Sequence, residues 1–197
     1  MKRDRIIRLT SLAILTALII VLQTVASGIR IGTVPITLTL VPIVVGAILF
    51  GPAAGAGLGA VFGVITVIAG VIGTDGFTNI LWVASPFWLV VVAMAKSVLC
   101  GWCAGLIARA LAKKETLGCI LAALAAPIVN TGVFAVGMLT VFRATLRSFA
   151  GGTDTVLYLF VTMIGINFLI EFALNAVLSS AIARIVQVVR RQLTKQS

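Results

Sequence analysis

Between Pro42 and Gly63 the chain reads PIVVGAILFGPAAGAGLGAVFG, with one break at Gly51-Pro52 and with Gly51, Gly55, Gly59 and Gly63 at every fourth position. On a helix that spacing forms one slowly drifting stripe without side chains, a surface on which a second helix backbone packs closely inside lipid. The helix carrying the stripe is therefore expected to be covered on that face. Gly51-Pro52 ends one helix and opens the next, because proline has no N–H and holds its own φ near the helical value.

The solvent follows from composition. Hydrophobic residues make up 61% of the 197 and charged residues 10%, with a mean hydropathy of +1.23, far from the balance of a soluble globular domain. A spanning helix takes about 20 apolar residues, so roughly six spans with short loops fill residues 1–197 as a single transmembrane domain. The expected fold class is an all-α integral membrane protein of six transmembrane helices. Segments of alternating polarity are absent, which argues against an outer-membrane barrel. The net charge of +10 does not mark a nucleic-acid binder, because the basic residues stand at the ends of apolar runs, where they set topology.

In chain order, Lys2, Arg3, Arg5 and Arg8 precede an apolar run from Leu12 to Leu22, long for the core of a cleaved secretory signal and read as the first span. Residues 27–36 read as a loop containing Arg30. Further helices are expected over about 37–50, 53–72, 81–111 and 117–142, then a polar loop over 143–154 and a sixth helix from 155 that leaves the bilayer before Arg190. Trp82 and Trp88 stand where an interfacial aromatic belt belongs. With both termini cytoplasmic, eleven of the 15 Lys and Arg residues fall inside, against Arg30, Arg143 and Arg147 outside. That is a clear positive-inside bias.

A few polar side chains remain within the spans. Lys96 lies midway along the fourth helix and Glu171 midway along the sixth, each costing about 2.5–3.5 kcal/mol at the bilayer centre, so both must face protein or water. Asn167, Glu171 and Asn175 share one face at a spacing of four, and Asn130 and Thr131 sit near the middle of the fifth helix. Two readings stand open. The groups surround a solute cavity, or Lys96 and Glu171 form a structural ion pair while the asparagines bond between helices.

Several chemistries drop out. There is no histidine, and the five acids Asp4, Asp75, Glu115, Asp154 and Glu171 assemble no zinc triad, carboxylate pair or Ser-His-Asp set. Cys100, Cys103 and Cys119 read as small packing residues. Lys96-Ser97 follows VVVAMA with no phosphate-cradling glycines. The chain is not expected to be an enzyme or to hold a metal or cofactor, and ATP-driven transport would need its ATPase on another chain.

Ala13-x-x-x-Ala17, the block ITLTLVPIVVGAILFGPAAGAGLGAVFG from Ile36 to Gly63, and APIVNTGVFAVGM from Ala126 to Met138 together carry a resemblance. The chain resembles the substrate-binding S components of energy-coupling factor (ECF) vitamin transporters over nearly its whole length. The resemblance implies a subunit in the bacterial cytoplasmic membrane that binds a vitamin from outside. It would dock on a transmembrane coupling subunit with two ATPases, Ala13 and Ala17 packing on the coupling subunit. It further implies an outward cavity among the last three helices, covered by the loops after the first and third, which points to Arg30, Asn79, Trp82, Lys96, Asn130, Asn167 and Glu171. Relatives usually carry arginine near the position of Lys96. The cations Arg30, Arg143, Arg147 and Lys96 favour an anionic vitamin such as pantothenate, with folate, riboflavin and cobalamin left open. A self-contained secondary transporter is the alternative, although no second copy of the Gly-Pro block appears.

Overall fold

The computed structural model describes residues 2–26, 30–31, 34–35 and 38–195. Among them the helices are α1 (Lys2–Ala26), α2 (Leu40–Phe50), α3 (Pro52–Ile72), α4 (Gly76–Ala84), α5 (Pro86–Ala110), α6 (Glu115–Thr140), α7 (Arg143–Ala150), the single turn α8 (Thr155–Leu157) and α9 (Gly165–Lys195). A π-helical turn, Tyr158–Met163, joins α8 to α9. Between α1 and α2, the two-residue strands β1 (Arg30–Ile31) and β2 (Val34–Pro35) pair antiparallel.

The glycine stripe finds its partner in α5. A Cβ on Gly55 would run into the backbone of Gly101, and one on Gly59 into the carbonyl of Ser97. At Gly63 it would come within 2.8 Å of Met94 Sδ and 3.2 Å of the Ala93 carbonyl, and at Gly105 within 2.5 Å of Pro52 Cα. Each step of four along α3 is matched by a step of four backward along α5, so the two helices run antiparallel with backbone against backbone. Dispersion between closely packed chains is what holds helices together where lipid is as apolar as leucine. At the head of the stripe Gly51 takes φ +92°, a conformation open to glycine and costly for other residues. Its N–H still bonds the Ala47 carbonyl at 2.9 Å while its own carbonyl accepts from Ala54 and Gly55, so Gly51 is paired on both sides where α2 meets α3.

α2 is apolar all round and enclosed, with Leu40, Ile43 and Val44 fully buried, as expected of a helix inside a bundle. α1 is its opposite. Only 6% of its apolar window is buried, against 33% in α3 and α5 and 39% in α6, which places α1 at the edge. Elsewhere large apolar side chains such as Ile72, Val83, Phe87, Leu169 and Val177 point outward, a surface suited to lipid and not to water.

Several expected boundaries move. The fourth helix divides at Ser85-Pro86, where Ser85 is extended (φ −164°) and Pro86 opens α5; the residue before a proline is pushed out of the helical region. Residues 143–154 are not all loop. They contain α7, which buries Leu146 and Ala150 and exposes Arg143, Ala144, Arg147 and Ser148. The last span bends by 42° between Thr155–Met163 and Gly165–Ser179. Four helices of the described residues are long and apolar enough to cross a bilayer, or five counting the bent pair as one. The 11 residues of α2 reach about 16 Å at 1.5 Å each, roughly half of a hydrocarbon core.

Gly59→Leu should therefore force α3 off α5 and lower stability by about 1–3 kcal/mol or more. Gly57→Ala, on the same helix with nothing within 4 Å of the added Cβ, should be neutral or stabilising. Thermal unfolding in detergent compares the two.

Candidate binding site

The α3–α5 contact fixes where Lys96 stands. Its Nζ lies 5.4 Å from the ring centre of Phe62 on α3 and 5.7 Å from that of Phe134 on α6, within the range of a cation–π contact. From there a cavity opens, about 850 Å³ of empty space including its mouth. Gln23 near the end of α1, Thr66 late in α3, Leu89 early in α5 and Phe142 just past α6 all line it. The cavity therefore runs from the end of the bundle remote from both chain termini to mid-bundle.

α6 contributes Asn130, Thr131 and Phe134. Pro127 sits inside this helix, removing one backbone bond a turn before Asn130. The last span contributes Met163, Ile164, Asn167, Phe168 and Glu171, and the bend brings them in. Ile164 N–H reaches back five residues to the Leu159 carbonyl at 2.9 Å, the signature of a π turn. Gly165 permits the bend, since a Cβ there would meet the Phe160 carbonyl at 2.8 Å.

The turn between α3 and α4 supplies Asp75, 4% exposed, together with Phe77 and Thr78. Asp75 caps α4, where a carboxylate meets the positive end of the helix. It accepts from Phe77 N–H at 3.2 Å and from the Thr78 hydroxyl. Gln23 is held from the side by the Thr39 hydroxyl, which donates to its Oε1 at 3.1 Å.

Four of the seven candidate binding residues thus share one cavity, Lys96, Asn130, Asn167 and Glu171, and Thr131 joins them. Others are placed elsewhere. Asn79 donates from Nδ2 to the Gly70 carbonyl at 2.8 Å, closing the end of α3. Trp82 packs on the apolar cluster that includes Phe77, Leu81 and Leu89. Asn175 donates back to the Glu171 carbonyl at 2.8 Å and does not line the cavity. The side chain of Arg30 lies outside the described residues. Arg143 and Arg147 are exposed on α7 and do not line the cavity. Asp75, Phe62 and Thr66 were missed. An aspartate three residues before Thr78 at the head of an apolar run was the available signal, as a helix cap.

A cavity lined by polar and charged side chains and enclosed by apolar helices of spanning length belongs to a multi-pass membrane protein. The sequence pattern of the family described as ECF transporter, substrate-specific component, matches residues 7–183, and the chain belongs to that family. Its members are the substrate-binding subunits of ECF transporters, working with a membrane T component and ATPases, and are not enzymes. No curated protein sequence matches the chain.

Asn130→Ala should weaken solute binding by about tenfold, the effect of losing one buried polar contact. Asn79→Ala should cost about 1 kcal/mol of stability and leave affinity within about twofold. Isothermal titration and thermal unfolding of both variants separate the site from the cap.

Proposed function

We propose that this chain is the high-affinity capture subunit of an ATP-driven ECF uptake system for a vitamin or closely related micronutrient. The observation that carries the reading is the convergence of Lys96, Asn130, Asn167 and Glu171 from three helices on one cavity, joined to membership of the family. Polar groups at membrane depth are costly and are retained for function. The chain holds no cofactor of its own, and ATP is hydrolysed by the two partner ATPases.

The protein lies in a bacterial cytoplasmic membrane with both termini inside. The chain makes six crossings, α2 belonging to one of them, a reading supported by the basic residues clustered near both ends. The solute enters from outside. The β1–β2 segment, with Arg30, and the α3–α4 turn close over it, and docking on the coupling subunit reorients the whole chain to release it inside. Ala13 and Ala17 are exposed on α1, small residues on the least covered span, and this face packs against the coupling subunit.

An acid such as pantothenate remains a substrate to test, with Lys96 as its one support among the described lining residues. A secondary transporter, the other class, would typically show paired repeats with broken helices, and the Gly-Pro block occurs once.

Reconstituted alone, the protein should bind solute without accumulating it, and uptake should appear only with the coupling subunit and ATPases. Ala13→Trp should abolish that uptake while leaving the dissociation constant within about twofold. Uptake by the protein alone would sink the proposal. Reporter fusions after Arg191 should report the cytoplasm.

A further inference from the structure

Two polar side chains of the cavity lining carry hydrogen-bonding groups that the protein itself does not use. Asn130 is 4% exposed and lines the cavity, and neither end of its amide bonds a described residue: Oδ1 is buried without a donor and Nδ2 reaches no acceptor. Lys96 is the second. Its Nζ has the ring centres of Phe62 at 5.4 Å and Phe134 at 5.7 Å, and it makes no hydrogen bond or contact ion pair with a described residue. Ring faces attract the charge, but the three N–H groups still lack an oxygen. Asp75, Asn167 and Glu171 share the cavity and already have partners within the protein.

Asn130 stands one turn from Phe134 on α6, so the amide and the ammonium flank the same part of the cavity. A buried amide with both groups idle is costly until something fills the space. Rotation about χ2, which is soft in asparagine, brings its oxygen to the cavity beside its nitrogen. Such an amide is satisfied by an edge that carries a donor next to an acceptor, as when asparagine reads adenine. Lys96 narrows the acceptor to an oxygen. A carbonyl oxygen has two lone pairs and can accept from Asn130 and Lys96 together, whereas a ring nitrogen has one. A carboxylate has no donor, and an open-chain secondary amide is trans, with its N–H and C=O on opposite sides.

We infer that the cavity recognises its solute by an edge with an N–H beside a C=O, as in a lactam, an imide, a cyclic ureide or a primary carboxamide. Asn130 pairs with both groups of that edge, and Lys96 donates to its carbonyl oxygen. The inference rests on the reading of this cavity as the substrate site.

The full chain in lipid nanodiscs, freed of bound solute, is titrated with riboflavin, biotin and nicotinamide, which carry the edge as an imide, a ureide and a carboxamide. Pantothenate and nicotinate, which lack it, are titrated beside them. Solute released from gently purified protein is identified in parallel by mass spectrometry. The expected result is an edge-bearing solute in at least one of the two experiments. Its affinity should fall at least about thirtyfold when the edge N–H is methylated, and at least about tenfold in Asn130→Asp, which keeps the shape and loses the Nδ2 donor. A solute without the edge that binds more tightly than any with it, or equal affinity for the methylated probe, overturns the assignment and leaves the capture role standing. If no probe binds and no solute is released, both fall. The methylated probe on the wild-type chain decides the matter even if Asn130→Asp fails to fold.

Discussion

Two helix backbones touching without side chains between them is the contact on which the other positions in this protein depend. In water, burial of apolar surface would drive α3 against α5. In lipid that drive is absent, and close dispersion contact takes its place. Gly55 against Gly101 and Gly59 against the Ser97 carbonyl make the approach possible, and a methyl group at either glycine would end it. Because the contact runs the length of the stripe, the register of α5 is fixed along with its distance. Lys96 follows directly. One residue before Ser97, it reaches over Phe62 and cannot shift along the cavity without breaking the glycine register.

The stripe and four cavity residues were legible in the sequence for the same reason. In an apolar chain a polar side chain or a repeated glycine stands out, and the period of 3.6 tells which of them share a face. What stayed hidden depends on tertiary geometry. Asp75 reads as one more turn residue at the membrane surface, and only the fold of α4 back onto the bundle turns it inward. Asn79, four residues later, looks equally suited to a site and instead closes α3 through the Gly70 carbonyl. Ser85-Pro86 was a visible break that a long apolar run obscured. The bend before α9 has no proline to announce it. It needs a π turn, and Gly165 looks in sequence like any other glycine of this chain.

The charge of the cavity shows why counting residues near a mouth misleads. Arg143 and Arg147 belong to the same connection as residues that touch the cavity, yet a helix has two faces, and α7 turns Leu146 inward and both arginines outward. Exposed charges act through a high dielectric and are screened by salt within about 10 Å. Asp75 and Glu171 act through apolar surroundings where that screening is largely lost. Buried carboxylates and exposed guanidinium groups therefore do not weigh equally in the electrostatics of the cavity.

The packing also bears on how a solute leaves. The cavity runs from the end remote from the chain termini to mid-bundle, while the other end is closed by Val44, Ala47, Ile48, Ala104, Ala122, Ala126 and Val186 in one buried cluster. An interior route to that side would part these residues and slide α3 along α5, giving up the contacts that hold the bundle together. Turning the subunit as a body in the membrane leaves every one of them in place. The demand then falls on α1, the span with least of its surface committed to the bundle. On the proposed docking at Ala13 and Ala17, a partner would move the whole chain without entering its core, and the tight α3–α5 contact and the bare α1 face would then serve the same mode of transport.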